Sequence, residues 1–132
     1  MRGFKSAKLA LIVGIVCLAL PPENSPAAGH QAITCSFLNG QQVKFDAPAR
    51  LGDLPNVDFD YPVKVTHFSF HDGNLSLVAM DGGDASRVRI VILAQLRKGQ
   101  KTYDGQILVD SGGHELQYDN GPVSCTAGPA GK

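Results

Sequence analysis

One stretch limits the fold more than any other. Arg87-Val88-Arg89-Ile90-Val91-Ile92-Leu93-Ala94-Gln95-Leu96 is the longest apolar run outside the N-terminus, and it alternates. Val88, Ile90, Ile92, Ala94 and Leu96 share one face of an extended chain, while Arg87, Arg89 and Gln95 share the other. Successive side chains of a strand point to opposite faces. A period of two, with β-branched residues at its centre, therefore specifies a long strand with one face in a core. Val91 and Leu93 interrupt the polar face, which predicts partial cover there too. The remaining segments read as shorter strands able to close around this one.

Gln31–Phe37 sets Ile33, Cys35 and Phe37 on one face. Asn39-Gly40 supplies a turn, because both residues tolerate positive φ, and residues 42–46 return with Val43 and Phe45 inward. Residues 63–70 and 75–80 flank an Asp72-Gly73 turn, with Leu75, Leu77 and Ala79 aligned. Asp81-Gly82-Gly83-Asp84 leads into the central strand, and Lys98-Gly99-Gln100-Lys101 leads out of it. Thr102–Asp110 follows, with Tyr103, Ile107 and Val109 on one face and Gly105 marking either a bend or room for a ligand. Ser111-Gly112-Gly113 reads as a tight turn into a strand over 114–118, with His114, Leu116 and Tyr118 on one face. Asn120-Gly121-Pro122 then ends that strand, 123–125 is the last, and the tail from Ala127 is expected to fray.

Eight short strands joined by Gly-rich turns predict an all-β fold, a small antiparallel meander closed as a barrel. The alternative is a two-sheet β-sandwich. The inward set would be Val43, Phe45, Val88, Ile90, Ile92, Tyr103, Ile107, Val109, Leu116 and Tyr118. Cys35 and Cys125 lie near the two ends of the mature chain, and two cysteines in an exported protein favour a disulfide. That bond ties the first strand to the last, the adjacency that closing a meander requires. A closed loop of this length contributes roughly 4–5 kcal/mol in the chain-entropy account.

Export is itself read from the N-terminus. Arg2, Lys5 and Lys8 precede an uncharged apolar run from Leu9 to Leu20, and small residues follow at Ser25, Ala27 and Ala28. That order is the pattern of a secretory signal peptide over 1–27, leaving a single domain over 28–132 with no membrane span after cleavage. Twelve basic and twelve acidic residues balance in the full chain. Cleavage removes three basic residues and one acid, which makes the mature part slightly acidic. No basic stripe is left, so the electrostatic footprint of nucleic-acid binding is missing.

The segment 46–62 breaks the strand rhythm. It holds Pro48, Pro55 and Pro62, four acids, and the apolar Leu51, Leu54, Val57, Phe59 and Tyr61. Proline removes ladder donors, and an irregular connection this long inside a small domain is more often functional than a short turn. Leu54, Phe59 and Tyr61 are its candidate partner-binding anchors, since aromatic residues dominate interface energetics.

Chemistry finds less support. His67 and His71 fall more than about 12 Å apart on a strand. His114 and Glu115 point to opposite faces. The acids of 81–84 and of the long loop lack the spacing of a calcium loop. No nucleophile elbow and no phosphate-binding or dinucleotide glycine pattern occurs. Asn74-Leu75-Ser76 fits the N-glycosylation sequon, relevant in a eukaryotic secretory route. The sequence therefore predicts no catalytic residue, no metal site and no cofactor. Two functions fit: a secreted or periplasmic binding module acting on another exported protein or envelope component, inhibitor-like, through the 46–62 loop; or a carrier of a small apolar ligand in the barrel.

Overall fold

The computed structural model describes residues 31–129. The signal-peptide reading of 1–27 lies outside the described residues. Eight antiparallel strands form one sheet: β1 (Gln31–Phe37), β2 (Gln41–Ala47), β3 (Val57–Asp58), β4 (Val63–His71), β5 (Asn74–Asp81), β6 (Val88–Leu96), β7 (Thr102–Asp110) and β8 (Tyr118–Pro129). Their order across the sheet is β3-β2-β1-β8-β7-β6-β5-β4, which curls into a nearly closed barrel. Every neighbour pair is consecutive in the chain except β1 and β8, which join the two ends of the described residues. The gap falls between β3 and β4.

Two hairpins follow directly from residue type. A 3₁₀ turn at Leu38–Gly40 joins β1 to β2, with Asn39 at φ 57° and Gly40 at φ 80°. Asp72 (φ 53°) and Gly73 (φ 73°) alone link β4 to β5. This is the positive-φ pair that matches the twist of a two-residue hairpin.

The interior is filled by the inward face of each strand. Ile33, Cys35, Val43, Phe45, Leu75, Leu77, Ala79, Ile90, Ile92, Ile107, Val109 and Cys125 are all buried in one cluster. Cys35 and Cys125 sit opposite each other on β1 and β8 and are disulfide-bonded, with Cα atoms 4.0 Å apart. Gly105 pairs with Ala94 in unbroken register. A Cβ there would stand 1.9 Å from the Leu93 carbonyl oxygen. The space a side chain would need at 105 is thus taken by the β6 backbone, and the glycine marks close strand approach.

The strand count agrees with the sequence reading because two differences cancel. β3 arises inside the proline-rich segment, where Val57 and Asp58 pair with Phe45 and Lys44. In compensation, the strand expected over 114–118 does not form. Residues 111–117 are a compact loop, and β8 runs without interruption from Tyr118 through Asn120-Gly121-Pro122 to Pro129. Pro122 is tolerated because β1 ends opposite Val123, so β8 has no β1 neighbour at that point. The tail expected to fray from Ala127 is strand as far as Pro129, paired to Gln31, Ala32 and Ile33.

Leu116 and Tyr118, expected inward, are 60% and 46% exposed. Val88 and Tyr103 are half-buried, and the other predicted inward residues are in the core. On the outer face Val91 is half-buried between Val78 and Leu108, but Leu93 stands exposed, so the cover expected there stops short of it.

Candidate functional site

The 46–62 segment is two structures rather than one, because β3 pins it to β2 in the middle. Before β3, residues 47–56 swing past the foot of the gap. Gly52 takes φ 90°, Arg50 Nε donates to Asp53 Oδ2 at 3.2 Å, and the Asp53 amide donates to the Arg50 carbonyl. That local turn presents Leu51, 86% exposed, and Leu54, 49% exposed, while Pro55 is buried as an anchor. After β3, Phe59 packs half-buried against the core, and its ring lies 6.4 Å from that of Tyr61. Of the three anchors predicted from sequence, the structure brings Phe59 and Tyr61 together. It sets Leu54 on the other side of β3, beside Leu51.

Tyr61 leads into a second structure, at one end of the barrel. Arg87 and Arg89 were expected on a polar outer face. Arg89 is 3% exposed, and its guanidinium lies 4.3 Å from the centroid of the Tyr61 ring. The cause is a bulge: Ala79 faces Ile90 while Met80 faces Val88, which leaves Arg89 as an extra residue and swings it into the barrel's end. There Arg89 Nε donates to Asp81 Oδ2 at 2.6 Å, and Arg89 Nη1 donates to the carbonyls of Asp110 and Gly112.

Arg87 Nε donates to Asp110 Oδ2 at 2.6 Å, and its Nη2 to the Gly112 carbonyl. Asp110 is fully buried, and its Oδ1 accepts the Gly112 and Gln117 amides at 3.0 Å each. Gly112 is the knot, since a Cβ there would lie 1.9 Å from the Glu115 carbonyl oxygen. The 111–117 loop thereby folds over the strand end instead of extending as a strand.

The charges in this end-plug are matched. The Arg87 guanidinium, with the Gln117 and Gly112 amides, holds the Asp110 carboxyl far below the usual carboxylate range despite its burial. Arg89, with the Gly83 amide, likewise lowers Asp81, and the Asp110 carboxylate raises Arg87. Asp81 also accepts the Gly83 and Asp84 amides, so the acidic turn 81–84 spends its first carboxylate internally. Asp84 is lowered by the Ser86 hydroxyl and amide. No buried side-chain nitrogen or oxygen among the described residues lacks a partner. A fully satisfied network of this kind fixes the geometry of the barrel end.

The histidines stay apart. His67 Nε2 meets Ser76 Oγ at 2.8 Å, and His71 Nδ1 meets Asp72 Oδ2 at 3.0 Å. Among the described residues no three of His, Cys, Asp and Glu cluster to hold a metal ion, and no helix is long and apolar enough to cross a membrane. A recess of about 300 Å³ opens at the barrel mouth between Phe37, Gln41, Phe59, Asp60, Val109 and Ser111. A second, of about 200 Å³, lies between residues 47–53 and Phe68, Ser69 and Phe70 of β4.

No protein-family model, curated protein or solved structure matches the chain. The site must therefore be read from its own geometry. Part of its setting is plain, since a buried disulfide is the mark of an oxidising, extracytoplasmic compartment.

Proposed function

We propose that the protein is a secreted or periplasmic, non-catalytic binding module, inhibitor-like, that engages another exported protein or envelope component through the 46–62 loop. The observation that carries this is the pair Leu51 and Leu54, two large apolar side chains held out in water by a loop fixed at both ends. An exposed leucine on a mobile tail would be unremarkable, but a pinned loop has already lost much of the conformational freedom that binding removes. Phe59 and Tyr61, the other two anchors, stand beyond β3 as a second part of the same surface, with Tyr61 seated on Arg89.

The test is site-specific photo-crosslinking in the native host, from positions 51 and 54, with position 93 as the exposed-leucine control. Protein-sized adducts from 51 and 54 and none from 93 support the reading. Absence of adducts at 51 and 54, or equal yields at 93, overturns it.

A second reading, the carrier of a small apolar ligand, draws on the barrel form and the mouth recess beneath Phe59 and Asp60. Native mass spectrometry separates the two. An added mass of a few hundred daltons on the protein from its host supports the carrier, and a protein-sized addition supports the binding module.

A further inference from the structure

β4 carries a bulge of its own, and it too re-aims a side chain. Val65 faces Ala79 while His67 faces Val78, which leaves Thr66 as the extra residue. Strict alternation from the buried Val65 would turn His67 into the barrel. The bulge turns it outward instead, onto the face it shares with Ser76, and the ring is exposed. Thr66 Oγ1 donates to the Val78 carbonyl at 3.4 Å and ties the bulge down. His67 Nε2 thereby comes to 2.8 Å from Ser76 Oγ. With the ring proton on Nδ1, Nε2 is an acceptor and the hydroxyl donates to it. An imidazole in that position activates an oxygen nucleophile that is weak on its own. Other serines are engaged differently: Ser86 donates to Asp84, whose carboxyl lies below its ordinary range and is a weak base, and Ser36 accepts from Gln42. Ser76 is half-buried and opens onto a shallow recess of about 350 Å³ across the outer face of β5, β6 and β7. Its neighbour in register on β6 is Leu93, 58% exposed, with Gln95, Gln106 and the backbone of Gly105 beyond.

We propose that Ser76 is an acylation site, with His67 as its base and an activated ester of a short apolar acid as the acyl donor. This goes beyond the binding-module reading and does not depend on the 46–62 loop. Ser76 Oγ adds to the ester carbonyl carbon as its proton passes to His67 Nε2. The adduct collapses, the bond from that carbon to the leaving oxygen breaks, and His67 gives the proton to the leaving oxygen. The products are acyl-Ser76 and the free alcohol, and His67 is neutral again. The acyl chain lies along Leu93, where burying its methylenes against an exposed leucine favours an apolar group over a charged one. A hydrolytic triad also holds its histidine from the far nitrogen with a carboxylate. Among the described residues no carboxylate pairs with His67. The pair is therefore built as an acceptor that is acylated once, without turnover.

The probe is p-nitrophenyl butyrate, added in excess to the folded, disulfide-bonded protein, with the modified residues located by peptide mass mapping over time. Ser76 should gain one butyryl group while Ser36 and Ser86 stay free. His67→Gln keeps a hydrogen-bonding side chain beside Ser76 but removes the base, and labelling of Ser76 should slow by roughly a hundredfold. Unchanged circular dichroism of that variant shows that the fold is kept. Leu93→Asp should slow butyrylation and leave acetylation by p-nitrophenyl acetate unaltered. No label on Ser76, or equal labelling in His67→Gln, overturns the site. Equal butyrylation in Leu93→Asp overturns the apolar chain's seat on Leu93. Release of many equivalents of nitrophenol that Ser76→Ala abolishes overturns the single-acceptor reading in favour of a hydrolase.

Discussion

The barrel is joined at two places, and the joints are built in opposite ways. β1 and β8 come from the two ends of the described chain, 90 residues apart at their cysteines, yet every residue of β1 has a β8 partner and the pair is also covalently tied. β3 and β4 are separated only by residues 59–62, yet no ladder joins them, and one aromatic contact bridges the gap. Nearness in sequence does not close a sheet; a run of donors and acceptors in register does. Pro48, Pro55 and Pro62 lack donors and, past the end of β2 at Ala47, confine strand pairing in this segment to Val57 and Asp58. The stiff joint is therefore the remote one, and the soft joint is where exposed leucines and a free edge gather.

The contrast can be broken first at the stiff joint. Replacing Cys35 and Cys125 by Ala should cost roughly 2–5 kcal/mol, seen as a drop in the urea midpoint. The slope should also change, because the unfolded state loses its constraint. An unchanged midpoint would mean the β1–β8 ladder alone suffices.

Next is the end-plug that ties the 111–117 loop to the barrel. Asp110→Ala leaves Arg87 without its carboxylate partner and should cost roughly 3–5 kcal/mol. Acid titration reports the same group. Asp110 is held below its ordinary value in the fold, so on acidification the unfolded chain takes up its proton first. Its stabilisation is full above about pH 4 and is lost as pH falls below that. Asp110→Asn should be less stable at neutral pH and show a flatter decline in acid. Parallel curves for the two proteins would remove Asp110 from the account.

A smaller effect is expected at the soft joint. Phe68→Ala removes a half-buried ring and its edge contact to Phe45, for about 2 kcal/mol. Hydrogen exchange should rise in β4 and β5 before β1 and β8. Uniform acceleration throughout would show that the gap is not an independent weak point. The smallest change is at the loop: Leu51→Asp with Leu54→Asp should move stability by no more than about 0.5 kcal/mol while abolishing the crosslinks described above. A large loss of stability would recast these leucines as part of the fold.

Most strand positions were legible because alternation and turn chemistry act locally. Asn39-Gly40 and Asp72-Gly73 set their hairpins by conformational preference alone, and Leu75, Leu77 and Ala79 face inward as their spacing requires. The candidate site was read less well. Leu54, Phe59 and Tyr61 lie in one segment, but β3 divides them, and a two-residue strand leaves no periodicity to detect. Arg87 and Arg89 were missed for a related reason. Alternation sends both to the outer face, while a one-residue bulge opposite Ala79 and Met80 re-aims Arg89. The only available hint was the pairing of two arginines with Asp81 and Asp110 at the ends of neighbouring strands.

By itself, then, the sequence determined an all-β chain of short antiparallel strands, most of the residues that fill its interior (Leu116 and Tyr118 excepted) and the cysteine pair that ties first strand to last. Each of these depends on side-chain period or on φ preference within a few residues. Only the tertiary structure decided where the barrel stays open, that 111–117 is a loop folded over a buried ion-pair network, and that β4 keeps a free edge. Those outcomes depend on which backbone donors find acceptors across the sheet and on which charges meet at its end. Such distances are set by the closed shape and not by any local pattern.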